Sequence, residues 1–329
     1  MKELENLRIG VIGVGSMGQN HCRVYSEISN LVGVSDNDAK LAERVGEKFD
    51  VPWYNDFNDM LEHVDAVTVS VPTFLHHSIS LKVIEAGVHL LVEKPLAASV
   101  EEAREIVRKA SESNVVLAVG HIERHNPVIE YARNSIKNNE WGEIVNLSSR
   151  RVSPYPTRIS DVGVIFDMAI HDIDVLCHLS DSPIHSVYAS GGSVVSDNED
   201  YITIILNFSS GIVGSCEASW LTPMKVRKLA ITCSTHFTEL DYMDQSIAIS
   251  TSNFIENQSG NLFSPPVEVD SFTKKLPREE PLKKELVDFL SSITKSRSPL
   301  VTGEEGLLNV SIAQAALTSL KNNSLFKFI

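Results

Sequence analysis

Gly13-Val14-Gly15-Ser16-Met17-Gly18 has a spacing that lets a backbone wrap a phosphate. The first glycine permits a tight turn, the second lets the main chain approach a pyrophosphate, and the third lets helix and strand pack closely. A helix opening there offers unpaired N–H groups to phosphate oxygens. Asp36 follows about 20 residues on, at the place where an acid accepts hydrogen bonds from a ribose 2′-hydroxyl. That carboxylate would repel a 2′-phosphate, so the pattern favours NAD over NADP. A glycine triplet alone is commonplace. Here a strand, the glycines, a helix, a second strand and a terminal acid fall in the required order.

A second group lies at Asp167-Met168-Ala169-Ile170-His171-Asp172-Ile173-Asp174. Read as a helix, Asp167, His171 and Asp174 stand at i, i+4 and i+7, on one face. Ile170, Ile173, Val175, Leu176 and Leu179 occupy most of the remaining circumference, so the ionisable stripe should turn toward a cleft. Three uses fit the stripe: a metal site, a structural His–Asp pair, or an acid–base pair built on an imidazole that titrates near neutrality. Nothing nearby supplies a further ligand set for a metal, and no metal is expected. Lys94 follows an apolar run, beyond the carboxyl end of a strand, where open α/β sheets bind their ligands. Partly desolvated, such a lysine can polarise a substrate hydroxyl. A surface ion pair is the plainer use of the same residue.

The elements that must position these groups divide the chain in two. Short apolar runs alternate with amphipathic stretches from Arg8–Ile12 to Val115–Val119, the pattern of βαβ units on a parallel sheet covered on both faces. Ser99, with Glu102 three residues on, reads as a capping box. After about Gly120 a helix near Pro127–Asn138 is followed by strand-like segments at Ile144–Arg151, Ile184–Ser190, Tyr201–Phe208, Ile212–Ala218, Arg227–Cys233 and Ser246–Ser250. Ser209-Ser210-Gly211 turns between two of them, so antiparallel pairing is expected. Asn253–Ser264 reads as an exposed loop, and Pro281–Lys295 and Gly303–Leu320 as closing helices. The expected fold is α/β: a doubly wound Rossmann domain over residues 1–121, then a substrate-binding α/β domain over 122–329 with a large, mostly antiparallel, open-faced sheet, whose last helices can pack back on the first domain. Such an open face tends to be buried against a copy of itself, which predicts a homodimer or homotetramer.

Composition narrows the class. The chain has 329 residues, 43% of them hydrophobic, enough for two real cores. Its formal net charge of −14 gives no footprint for nucleic acid or an anionic membrane. Cys22, Cys177, Cys216 and Cys233 lie far apart with no C-x-x-C pair, which suits reduced thiols in a cytoplasmic protein. No signal peptide and no membrane-spanning stretch is expected.

Glu93-Lys94-Pro95 after the fifth strand, Pro72-Thr73 after the fourth with His76 beyond, the glycine motif and Asp36 together resemble the glucose–fructose oxidoreductase, inositol dehydrogenase and MocA family. The resemblance runs to the helix around Glu285–Ile293 and to Val301-Thr302-Gly303-Glu304-Glu305-Gly306. It implies NAD as cofactor, a catalytic Lys94, a cis bond before Pro95, and a catalytic Asp167–His171 pair. It also implies that Pro72, Thr73, His76 and Glu93 border the cofactor. Gly120-His121-Ile122-Glu123-Arg124-His125-Asn126-Pro127 and Arg150–Ile159 are similar to a branch that oxidises the 3-hydroxyl of UDP-N-acetylglucosamine, with His125 where that branch usually has Phe. A diphosphate substrate would account for clustered arginines in so acidic a chain, because guanidinium pairs bidentately with phosphate. Arg124, Arg151 and Arg158 are then the phosphate-binding residues, Asn126 contacts the sugar, and His171 meets the reacting hydroxyl. Loop salt bridges are the other use for the arginines. A free-polyol dehydrogenase, an NAD-holding hydratase or glycosidase, and a non-catalytic NAD-bound regulator are the competing functions.

Overall fold

A computed structural model describes residues 4, 6–156, 162–254 and 267–328. In chain order come β1 (Arg8–Ile12), α1 (Ser16–Ile28), β2 (Asn30–Ser35), α2 (Ala39–Phe49), β3 (Trp53–Tyr54), α3 (Asn58–Leu61), β4 (Ala66–Val69), α4 (Thr73–Glu85), β5 (His89–Glu93), α5 (Val100–Glu112) and β6 (Leu117–Gly120). A 3-10 turn (Ile122–His125), α6 (Pro127–Lys137), β7 (Ile144–Val152), a π-helical turn (Ile165–Ala169) and α7 (Ile170–Ser180) follow. Next are β8 (Ile184–Gly192), β9 (Tyr201–Phe208), β10 (Val213–Ser219), β11 (Val226–Cys233), β12 (Phe237–Asp241), β13 (Ser246–Phe254) and β14 (Val267–Lys275). The chain closes with α8 (Pro281–Thr294), α9 (Gly303–Asn322) and β15 (Phe326–Lys327).

Two compact units result, residues 1–125 with 280–314 and residues 126–279 with 315–329. The return of 280–314 to the first unit has a hydrophobic cause. Leu282, Leu286, Phe289 and Leu290 of α8 join Ile9, Val11, Val24 and Tyr25 in one core. Full burial of such a side chain contributes about 1.5–3 kcal/mol.

The first unit is built on a sheet of order β3-β2-β1-β4-β5-β6, parallel at every pairing. All four residues of β4 and of β6 are buried, as a sheet covered on both faces requires. The strand order reverses between β1 and β4, which places the ligand crevice of such a sheet beyond their carboxyl ends. Ser99 caps α5 by accepting from the Glu102 N–H at 3.2 Å, while the Glu102 carboxylate accepts from the Ala98 N–H rather than closing the box on Ser99.

The second unit carries a nine-stranded sheet of order β14-β13-β12-β11-β7-β10-β9-β8-β15, antiparallel except for the β7–β10 pair. Residues along β9 alternate, with Ile202, Ile204, Leu206 and Phe208 buried and Tyr201 exposed. Helices α6 and α7 pack on this sheet. Tyr188, Tyr201 and Phe237 stand exposed on its strands. Strands β3, β12, β14 and β15 were not expected from the sequence. β13 runs on to Phe254, into the segment read as a loop; residues 255–264 of that segment lie outside the described residues. No helix among the described residues is long and apolar enough to cross a membrane.

Candidate active site

The glycine loop is shaped by steric needs at each position. Gly13 sits at φ +83° and donates to the Ser35 carbonyl at 2.8 Å. A Cβ on Gly18 would lie 1.9 Å from the Gly13 carbonyl oxygen, so α1 can approach β1 only without a side chain there. A Cβ on Gly15 would meet nothing within 4 Å, and Gly15 caps α1 with no side-chain hydrogen bond. Bare backbone therefore faces open space at a helix N-terminus, the arrangement that receives a pyrophosphate. Ser16 beside it is exposed, and Met17 packs on the core of the unit. Asp36, half-buried, accepts from the Val14 N–H at 2.9 Å and from the Asp38 N–H at 3.0 Å. Ser70, just after β4, donates to the Gly13 carbonyl at 2.7 Å. These residues fit NAD: an open cradle for the diphosphate and a carboxylate at the end of β2 for the adenosine ribose.

Lys94, half-buried, leaves the end of β5 through a cis bond to Pro95, the isomer the family resemblance implied. Glu93 before it is 9% exposed and lies 2.9 Å from His21 Nε2 of α1. Burial opposes charge on Glu93, but the bond from His21 and the neighbouring Lys94 prevail and hold it below the usual carboxylate range. His76 is 1% exposed, with Nδ1 2.8 Å from the Pro95 carbonyl and Nε2 2.9 Å from the Val71 carbonyl. Pro72 is exposed as the N-cap of α4 and Thr73, half-buried, begins that helix. Glu93 and His76 thus stand beside the crevice end of the sheet, but their side chains engage the protein itself. His21 was missed in the sequence, although it lies with Gly18, Cys22 and Tyr25 on the buried face of α1, an imidazole among apolar groups.

In the second unit Asp167 occupies the π-helical turn and His171 the first turn of α7, both half-buried. Asp174, expected on the same stripe, is fully buried. The π turn changes the register that a continuous α-helix would have kept; such turns recur at functional sites. Glu199 grips the start of this turn: its Oε1 accepts from the Ile165 N–H at 3.1 Å and its carbonyl from the Val164 N–H at 2.9 Å. Gly163 leaves room for that carboxylate, which a Cβ would approach to 2.2 Å.

Three of the residues expected to meet substrate are held by partners within the protein. Arg151 is buried and paired through Nε and Nη2 with Asp172 of α7. Arg124, 3% exposed, pairs with Glu305 and donates to the Leu300 carbonyl at 3.3 Å. Asn126 caps α6, accepting from the Val128 N–H at 3.3 Å and donating to the Tyr242 carbonyl at 3.2 Å. Each is expected from the sequence to contact substrate, and each has partners within the protein at a buried position. Arg158 lies outside the described residues. Among the described residues, no group of three or more His, Cys, Asp or Glu side chains is placed to hold a metal ion.

Comparison with known proteins agrees with this layout. Residues 7–121 match the model of the oxidoreductase family with an NAD-binding Rossmann fold, and residues 129–237 match the GFO/IDH/MocA C-terminal domain. The chain is 31% identical over 301 residues to a UDP-N-acetylglucosamine 3-dehydrogenase of Acidithiobacillus ferrooxidans, covering 92% of this chain and 93% of the relative. It is 28% identical over 338 residues to an NAD(+)-dependent scyllo-inositol 2-dehydrogenase of Bacillus subtilis, covering 96% and 94%. A solved structure of the Acidithiobacillus ferrooxidans enzyme superposes with a TM-score of 0.87 at 29% identity, over 96% of this chain and 98% of that one. An open glycine cradle, an acid closing β2 and a lysine closing β5 thus stand in a chain that belongs to the GFO/IDH/MocA family of NAD-binding oxidoreductases.

Proposed function

We propose that the protein oxidises a secondary hydroxyl of a sugar, and that the preferred substrate is UDP-N-acetylglucosamine, taken to its 3-keto form. The observation that carries this reading is the likeness to a UDP-N-acetylglucosamine 3-dehydrogenase over 92% of the chain, with Lys94, Asp167 and His171 all present. NAD, when bound, supplies the hydride acceptor. His171 takes the proton of the reacting hydroxyl, and Asp167 orients the imidazole or holds a neighbouring hydroxyl. Lys94 stabilises the negative charge that develops on the oxygen. Arg124 and Arg151 serve by holding their carboxylate partners, and contact with the diphosphate falls to Arg158. The exposed aromatic residues on the nine-stranded sheet support assembly into a homodimer or homotetramer through that sheet.

The inositol-type reading is favoured by the second relative, 28% identical over almost the whole chain. A panel of UDP-N-acetylglucosamine, free N-acetylglucosamine, and myo- and scyllo-inositol with NAD, followed by NADH absorbance and product mass, decides between them. Turnover of the nucleotide sugar with loss of two hydrogens is the expected result. Turnover confined to inositols would replace the substrate, and stoichiometric NAD binding with no turnover on the panel would make the protein a sensor. Lys94→Ala, Asp167→Ala and His171→Ala should each lose at least about 100-fold in kcat while still binding NAD.

A further inference from the structure

We propose that His21 and His76 are positioning residues for Lys94, holding it from its two sides, His21 through the carboxylate of Glu93 and His76 through the carbonyl of Pro95. The inference rests on Lys94 acting in the reaction as proposed above.

The geometry is a bracket. His21 comes from α1 and reaches Glu93 across 72 positions of sequence, Nε2 to Oε1 at 2.9 Å. The other oxygen of Glu93 accepts from the backbone N–H of Lys94 itself at 3.2 Å, so the carboxylate folds back along the strand end. Gly120 at the end of β6 leaves space for it: a Cβ there would come within 3.1 Å of the carboxyl group. On the other side, His76 of α4 stands between the carbonyls of Pro95 and Val71, and its neutral ring has one N–H to donate, which in the tautomer protonated at Nδ1 goes to Pro95, after β5. The residues before and after Lys94 are thereby fixed to two different helices.

Neither histidine faces solvent, with relative exposures of 0% and 1%. Burying an imidazole costs desolvation that an apolar residue in the same place would avoid. Both imidazoles spend that cost on the two residues adjoining Lys94. Precise placement is where such an arrangement acts, because an error near 1 Å in a reacting group lowers a rate by about 100-fold. His21 also lies on the helix whose N-terminus forms the phosphate cradle, so one rigid element sets both the diphosphate and the lysine.

The test compares His21→Leu and His76→Leu with His21→Gln and His76→Gln, which keep an amide N–H for the same acceptors, and with Lys94→Ala. Each is measured for kcat and KM on the sugar the parent turns over and for NAD affinity by calorimetry. The Leu variants should bind NAD within about threefold of the parent while kcat falls 10- to 100-fold, and the Gln variants should regain most of that loss. Leu variants with parental kcat beside an inactive Lys94→Ala would overturn the positioning role and leave Lys94 standing. Loss of NAD affinity in step with kcat would also overturn it, since that marks general damage to the unit. Full turnover by Lys94→Ala, or none by the parent, overturns both readings. Should the Leu variants not fold, Glu93→Gln keeps the buried shape and removes the charge together with one of the two acceptor oxygens. It should lower kcat with NAD affinity kept, and an unchanged kcat there overturns the His21 arm.

Discussion

Arg151 of β7 and Asp172 of α7 form a buried, two-bond ion pair, Nε to Oδ2 at 2.8 Å and Nη2 to Oδ1 at 3.2 Å, with each side chain 2% exposed. The guanidinium also lies 5.5 Å from the ring centre of Tyr242. Because Asp172 directly follows His171, the pair pins the first turn of α7 to the sheet. Removing one member leaves the other charge desolvated without its counter-ion, which costs about 3–5 kcal/mol, whereas removing both can be close to neutral. Arg151→Met should therefore lower unfolding stability by an amount in that range, and Arg151→Met with Asp172→Leu should recover much of it. Denaturant titration of the single and double variants measures the coupling. A single variant as stable as the parent, with only the substrate KM raised, would return Arg151 to the phosphate-binding role.

Gly15 and Gly18 should respond oppositely to the same substitution. A Cβ on Gly15 meets nothing in the protein but projects where a diphosphate approaches, so Gly15→Ala should keep the melting temperature and weaken NAD binding at least about tenfold. A Cβ on Gly18 would stand 1.9 Å from the Gly13 carbonyl oxygen, so Gly18→Ala must push α1 off β1 and should lose about 2–4 kcal/mol of stability. Thermal melts and NAD calorimetry on the two variants separate cradle from packing. Equal effects on both readouts would show that the loop does not divide its glycines this way.

Five of the six strands of the first sheet were legible because buried parallel strands are unbroken apolar runs, whereas β3 is only Trp53–Tyr54. The edges of the second sheet were not legible. β14 carries Val267-Glu268-Val269-Asp270-Ser271-Phe272-Thr273-Lys274-Lys275, with too many charges to read as a strand, and β15 is only Phe326–Lys327. Pairing across the sheet, such as Phe326 with Val187, makes them strands, and no local signal carries that. The residue types of the site were readable, but the partners were not. Glu305 lies 181 positions from Arg124, and Tyr242 lies 116 from Asn126, so an arginine and an amide that read as ligand contacts are buried by distant chain. The stripe from Asp167 to Asp174 was drawn on an ideal helix, and the π turn gripped by Glu199 displaced it.

His76 makes acid stability a test of its burial. Desolvation lowers its pKa below the ordinary histidine value, against the raising influence of the Pro95 and Val71 carbonyls and of Glu93. Below about pH 6.5 the unfolded chain then binds a proton that the folded one refuses, so stability is full above that pH and falls as pH drops toward the folded value. The slope from one such group is at most about 1.4 kcal/mol per pH unit. His89, also lowered by burial, adds to it in the same direction. Stability should fall between pH 7.5 and pH 5.5, and His76→Gln should flatten the fall. An unchanged slope in His76→Gln would mean that the imidazole takes up its proton at the same pH in the folded and unfolded chain, and would overturn the effect of its burial.

The four thiols should separate into one accessible and three closed. Burial pushes Cys22 up to about 12 and Cys233 up to about 11, and raises Cys216 as well, so at pH 8 hardly any reactive thiolate forms at these positions in the folded chain. Cys177 on α7 is only half-buried. Titration with an aromatic disulfide at pH 8 should therefore show one fast thiol, abolished by Cys177→Ser, and three that react only as the structure opens. Cys22 lies on the helix that begins at the phosphate cradle, so its labelling also reports the cofactor. NAD binds the folded form and not the unfolded one, and at 100 times its Kd stabilises by about 2.7 kcal/mol, which slows labelling through opening by about 100-fold. Mass spectrometry of timed samples follows each position separately. Rapid labelling of Cys22 in the free protein, or no protection of it by NAD, would show that α1 is neither as closed nor as tied to the cofactor as the packing of Gly18 on Gly13 requires.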